Sequence, residues 1–236
     1  AEQIGKNGYK VQVISNVIDI EKYQFRKRSK ISPKLLWMRS FHQIYNPEMA
    51  IKVLKRLCQR GQDATLTMAG KDKGLESSLK KMAEDLGLSD KIRFVGFLNE
   101  KQKLKEFAEA DVYINTNRID NMPVSIVEAR ALGLPVVSTD VGGLPYLIEH
   151  KENGLLVPDD DFESMVKNVE LLINHPEITQ KISVNGRKLA EDSAWSKVQR
   201  KWENLILKTI ENKFAVRNKF RSYEGKMVSK EIGNKI

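Results

Sequence analysis

The residues best suited to chemistry lie between Arg118 and Val141, in RIDNMPVSIVEARALGLPVVSTDV. Two carboxylates, Asp120 and Glu128, bracket a predicted helix start with seven residues between them. A carboxylate just ahead of a helix ordinarily caps it, which is the plain reading of Asp120. Glu128 is about two turns in and faces much the same way as the first turn, so capping does not explain it. A glutamate within an apolar helix needs a partner, either another side chain or a ligand hydroxyl. The helix N-terminus itself offers unpaired N–H groups and a partial positive charge, which suits a phosphate. Phosphate and hydroxyl recognition is the chemistry these residues point to.

The elements that must position them are legible in the same stretch. Ile126, Val127, Ala129, Ala131 and Leu132 give the helix a mostly apolar body and predict its burial. Pro123 suits a first-turn position, where its fixed φ is preset. Gly133 suits a left-handed helix end, Pro135 prevents continuation, and Val136 and Val137 open a short strand.

Strand-like and helix-like segments alternate along the rest of the chain. Strands are predicted over 11–14, 35–38, 64–68, 92–95, 112–116 and 154–157, besides the one at Val136. Helices are predicted over 47–60, 75–86, 100–110 and 196–211, after the acidic run Asp159–Asp161, and after His175-Pro176. With no hairpin signals, this order predicts an α/β fold, a Rossmann-like parallel sheet with helices on both faces. Such sheets bind ligands beyond the carboxyl ends of their strands. Arg39, Gly70, Gly96, Asp120 and Gly142 follow predicted strands or open helices, and would gather on that edge. No G-x-G-x-x-G follows the first strand, so a dinucleotide cofactor is not expected.

Composition bounds the partners. Hydrophobic residues make up 41% and charged residues 30%, which suits a globular chain with a real core. No apolar run approaches the ~20 residues of a membrane span. The single Cys58 cannot form an internal disulfide, and a reducing cytoplasm is the simplest setting. The net charge of +9 comes from scattered basic residues without a nucleic-acid motif, so nucleic acid is not an expected partner. The basic tail 213–236 is expected to be a frayed end or arm. The acidic run Asp159–Asp161 reads as first-turn helix stabilisation rather than a metal pair, and no metal is expected.

The motif resembles the signature of retaining glycosyltransferases of the GT-B fold, especially glycosyltransferase family 4. Those proteins carry an acidic residue, seven others and a glutamate, followed by an A-x-G-x-P-V-V turn and a V-G-G segment. The matching residues are Asp120 and Glu128, then Ala131, Gly133, Pro135, Val136 and Val137, then Val141, Gly142 and Gly143. The resemblance extends from about Val11 to about Trp202. Asn16 and Asp19 match a p-N-g-v-D segment at the family's interdomain hinge, although on this piece alone an ordinary Asx-rich turn is the favoured reading. Two departures stand out. Asp120 replaces the usual glutamate, and the lysine that the family usually has about five residues after the arginine is missing, since Ile44, Tyr45 and Asn46 stand there.

The resemblance implies sugar transfer from a nucleoside diphosphate sugar (UDP- or GDP-linked) to a hydroxyl, with configuration retained and no cofactor beyond the donor. Arg39 and the N–H groups of Met122, Val124 and Ser125, beside Asn121 and Pro123, would hold the diphosphate. Glu128 would accept from the ribose and Asp120 from the sugar, neither as a nucleophile. Gly70, Lys71, Gly96 and Phe97 would line the donor site, with Phe97 facing the base or else buried as core. Gly142 and Gly143 would permit a close loop approach, and His42, Lys71 or Lys101 would substitute for the lysine.

The implied division is a linker with an edge strand (1–33), a donor-binding domain that is one half of a GT-B fold (34–195), a docking helix carried by Trp195 and Trp202 (196–212), and the tail. An acceptor-binding domain is expected to be missing, so that the chain alone is inactive. The resemblance also implies weak attraction to the inner membrane face, in surface polysaccharide or glycolipid assembly. The rival readings are a catalytically silent nucleotide-sugar-binding module, a nucleotide-sugar 2-epimerase, and a plain structural or nucleic-acid-binding domain.

Overall fold

The structure is a computed structural model that describes residues 14–211. The expected strand at Val11–Val13 and the basic tail lie outside the described residues, and Ile14 is not in a strand. From Asn16 to Ala194 the chain forms one compact unit. Its elements are β1 (Lys34–Met38), α1 (Pro47–Gln59), β2 (Thr65–Ala69), α2 (Glu76–Asp85), β3 (Ile92–Gly96), α3 (Glu100–Glu109), β4 (Val112–Asn115), α4 (Val124–Ala131), β5 (Val136–Thr139), α5 (Leu144–Leu147), β6 (Leu155–Val157), α6 (Phe162–Asn174) and α7 (Pro176–Glu191). Residues 195–211 are helical and belong to a second unit. In that unit Trp195 and Trp202 are exposed.

The six strands are all parallel in the order β3-β2-β1-β4-β5-β6. This is the Rossmann-like α/β fold. The chain winds outward from β1 through β2 to β3, then returns to place β4 on the other side of β1. The order therefore reverses between β1 and β4.

Strand periodicity explains the two covering layers. Leu35 and Trp37 of β1, with Val112 and Ile114 of β4 and Val137 of β5, enter one core with α1, α2 and α6. The alternate residues Leu36, Tyr113 and Val136 enter a second core with α3, α4 and α7. Successive side chains point to opposite faces, so β4 and β5, buried at every position, are apolar except at their carboxyl ends, where Asn115, Ser138 and Thr139 are buried.

The helix α4 runs as expected into a left-handed Gly133 (φ +80°), with Leu134 N–H returning to Ala129 O at 2.9 Å. An added Cβ at Gly133 would meet Arg26 O at 2.4 Å, so glycine serves both turn and packing there. Pro123 is the N-cap of α4 rather than a first-turn residue, because its ψ of 120° is extended.

The expected apolar body of α4 hides an exception, the buried Arg130. Its guanidinium donates to Leu147 O (2.9 Å), Asn153 O (3.2 Å) and Asn153 Oδ1 (2.7 Å), tying α4 to the loops around α5 and β6. Burial without a carboxylate lowers its pKa to about 10. Replacing it should strand these acceptors away from water. Arg130→Met is expected to lose roughly 2–4 kcal/mol of stability in urea denaturation. A loss below about 0.5 kcal/mol would show that α4 is anchored by other means.

Candidate functional site

The loops after β1 and β4 meet where the strand order reverses, the position at which open α/β sheets form their ligand crevice. They are laced together by backbone and side-chain bonds. Arg118 N–H donates to Ile44 O at 2.8 Å, and the Thr116 hydroxyl lies 2.8 Å from Tyr45 O. Trp37 Nε1 donates to that hydroxyl from β1, also at 2.8 Å.

Across this junction Arg39 Nη2 pairs with Asp120 Oδ2. Asn117 Nδ2 donates to the same oxygen at 2.6 Å, and Asn121 N–H to Oδ1 at 2.8 Å. The Arg39 guanidinium carbon stands 5.1 Å from the Tyr45 ring centre, a cation–π contact. Both charged side chains are largely shielded from solvent. Asp120 is therefore not a helix cap, and no side chain caps α4. The carboxylate is spent on Arg39, and the first-turn N–H groups of α4 are left without a side-chain partner.

Two glycine contacts hold this geometry. At Gly142 (φ +57°) an added Cβ would fall 2.0 Å from Asp120 O, and at Gly143 another would fall 2.4 Å from Asn121 O. Gly143 N–H also donates to Asp120 O at 2.8 Å. The expected close approach is thus made by the Asp120–Asn121 backbone itself. Gly70 plays the same part on the other side, where a Cβ would lie 1.8 Å from Arg39 O. Asn16, from the segment ahead of β1, donates its side-chain amide to Met122 O at 3.0 Å. It fastens the loop before α4 and does not make a local Asx turn.

Glu128 is 5% exposed and has two side-chain partners on one oxygen. Tyr23 OH donates to Oε1 at 2.8 Å, and Lys103 pairs with the same atom from the first turns of α3. Burial, followed by the charge of Glu128, raises the Tyr23 pKa well above its ordinary value, so Tyr23 remains a donor. Neither Tyr23 nor Lys103 was singled out by motif. Tyr23 lies in a charged, aperiodic segment that gives no signal. Lys103 did carry one, a cation near a helix N-terminus where the macrodipole disfavours it.

A cleft of about 260 Å³ opens over the segments that follow β1, β2 and β3, lined among others by Arg39, Tyr45, Gly70, Lys71, Phe97 and Lys103. Asp120 and Glu128 adjoin it through Arg39 and Lys103, and neither they nor the start of α4 line it. Phe97 is 80% exposed, which overturns the alternative of a core residue. Gly96 (φ +67°) shapes the turn ahead of it, and its carbonyl accepts from Gly70 N–H at 2.8 Å. Ser125 faces inward, where its hydroxyl accepts from Tyr113 at 2.8 Å, so only its backbone is left for a ligand. Val124 is exposed at the start of α4. Lys101 does not line the cleft, and His42 accepts from Ile44 N–H in a local turn. The acidic run is accounted for. Asp161 caps α6 through Ser164 N–H (2.9 Å), while Asp160 accepts from Asn46 and pairs with Arg118.

A larger depression, about 560 Å³, lies at the opposite edge of the sheet, beside Lys34, Thr65 and Asp90. Three of its cations are paired, Arg26 with Asp111 (3.0 Å), Lys91 with Asp63 (2.7 Å) and Arg93 with Glu106 (2.9 Å). It also faces the amino ends of the strands, so the smaller cleft is the candidate site.

Gly142→Ala should force the Asp120 loop outward. It is expected to cost about 2 kcal/mol or more in urea denaturation, against about 1 kcal/mol for Gly87→Ala, which shares a positive φ but has no atom within 4 Å of an added Cβ. Equal losses would contradict a role for this packing.

Residues 19–189 match the family described as glycosyl transferases, group 1. An uncharacterized glycosyltransferase of Haemophilus influenzae is 31% identical over 157 residues, covering 66% of this chain and 44% of that protein. The amylovoran biosynthesis glycosyltransferase AmsK of Erwinia amylovora is 29% identical, covering 66% of this chain and 40% of that protein. The chain therefore spans less than half the length of these curated relatives. Among solved structures, Anabaena HepE in complex with UDP superposes with a TM-score of 0.76 at 20% identity, over 88% of this chain and 61% of that one. The C-terminal domain of a glycosyl transferase group 1 family protein, LpcC of Francisella tularensis, has a TM-score of 0.64 at 18% identity, over 74% of this chain and 96% of that one. On the extent of the family match, this chain belongs to the group 1 glycosyl transferases.

Proposed function

We propose that this chain binds a nucleoside diphosphate sugar in the cleft at the strand-order reversal and forms the donor half of a retaining glycosyltransferase. The observation that carries the reading is the set of contacts beside the cleft, where Arg39 pairs with the shielded Asp120 ahead of the uncapped α4 and Lys103 pairs with the buried Glu128. A guanidinium and helix-terminal N–H groups suit a diphosphate, and buried carboxylates suit sugar and ribose hydroxyls.

In this reading the acceptor oxygen bonds to the anomeric carbon as the bond from that carbon to the diphosphate oxygen breaks. The hydroxyl proton passes to the departing diphosphate, and charge builds on that group as it leaves. Arg39 and the N–H groups of Met122, Val124 and Ser125 stabilise that charge, since preorganised donors act most strongly where charge develops. Glu128 accepts from ribose hydroxyls, Asp120 from a sugar hydroxyl, and Phe97 packs against the base. Asn121 and Pro123 shape the approach to α4. No cofactor or metal is assigned a step.

The acceptor, a hydroxyl compound, would be held by a second domain of the kind that the greater length of the relatives leaves room for. Assembly of a surface polysaccharide or glycolipid in the cytoplasm is the setting we favour, in line with the role of AmsK in amylovoran biosynthesis. No helix among the described residues is long and apolar enough to cross a membrane, so any membrane contact there would be peripheral.

Thermal unfolding with UDP, GDP, ADP and their sugar conjugates tests the reading. A ligand at 100 times its Kd stabilises the folded state by about 2.7 kcal/mol, equivalent to a Tm rise of several degrees. One nucleotide should produce that rise, and Glu128→Gln should reduce it. If none raises the Tm of the wild-type chain, the donor-binding reading is contradicted.

A further inference from the structure

Resting on the donor-binding reading above, we propose that Lys103 is a donor-binding residue, an exchangeable cation that leaves Glu128 to contact the diphosphate. Four observations support this. Lys103 lines the same cleft as Arg39, Lys71 and the exposed Phe97. It stands in the first turns of α3, whose N-terminus is already satisfied by the Asn99–Gln102 capping box. A lysine there works against the helix dipole, and within α3 its charge is met by Glu100 one turn earlier. The nearby Glu100 is held by Lys22 at 2.9 Å, and Glu128 is the carboxylate with which Lys103 pairs.

The fourth observation concerns what remains when Lys103 moves. Stripping the partner from a buried carboxylate is ordinarily costly. Here Tyr23 OH also donates to Glu128 Oε1, at 2.8 Å, so the carboxylate keeps a hydrogen bond after the ammonium has gone. Hydroxyls of the bound nucleoside would then take up the released acceptor capacity. Lysine suits such an exchange, because a compact ammonium with three donors sits on a flexible stem.

Arg39 is less free to move. Its Nη2 is committed to Asp120 and its ring-stacked face to Tyr45. A diphosphate carries more than one negative charge, and Lys103 would supply the second cation inside the shielded part of the cleft. Binding would thus trade one ion pair for another, making diphosphate recognition and the release of Glu128 a single event.

The test is NMR titration of the 236-residue chain with UDP, UMP and uridine, for wild type, Lys103→Met and Lys103→Arg. Lys103→Met is expected to weaken UDP binding about ten- to hundredfold while leaving uridine within about twofold, and Lys103→Arg to keep most of the UDP affinity. Unchanged uridine binding also shows that the variant has folded. Parallel weakening of UDP and uridine by Lys103→Met would overturn the proposal, because Lys103 would then act only by positioning Glu128. Unchanged UDP affinity would overturn it as well. A wild-type chain that binds none of these, nor GDP or ADP, contradicts the donor-binding reading itself, and the proposal falls with it.

Discussion

The ion pair between Arg39 and Asp120 spans the one place in the sheet where the winding reverses. Every other feature of the site is arranged around it. Parallel strands on either side of the reversal send their following loops in opposite directions, which leaves a crevice between β1 and β4. A guanidinium and a carboxylate facing each other there, both largely shielded from water, are mutually dependent. Removing Arg39 would leave Asp120 with the Asn117 and Asn121 donors but no counter-charge, and removing Asp120 would leave the Arg39 guanidinium against the Tyr45 ring.

The pair can persist because the surrounding backbone has no slack. Gly70 lets Arg39 O pass within contact distance, and Gly142 and Gly143 do the same for Asp120 and Asn121. Arg130 pins α4 from its far side, and Asn16 fastens the loop in front of it. Glycine at these positions therefore reflects loop-on-loop packing as much as ligand access.

Much of this was legible in the residues. The alternation of apolar strands and amphipathic helices specified the doubly covered parallel sheet. Gly133 and Pro135 marked the end of α4, and the spacing of Asp120 and Glu128 singled out two residues of the candidate site. What remained hidden was long-range pairing. Nothing local in the sequence indicates that Tyr23 would reach Glu128, or that Tyr45 would lie against Arg39. Asp120 read as a cap because caps are local, whereas its actual partner is 81 residues away. Phe97 could not be assigned to core or surface from sequence, since an aromatic after a strand is compatible with both. Lys103 was readable only as an oddity of helix electrostatics.

The most direct test of the account is to map where a nucleotide binds, by following backbone amide shifts as UDP is added to the labelled chain. The account predicts shifts confined to the carboxyl edge of the sheet, at Arg39–Ser40, Gly70–Lys71, Phe97–Leu98 and Met122–Ser125, with the amino edge silent. Shifts centred instead on Lys34, Thr65 and Asp90, beside the larger depression at the amino edge, would contradict it.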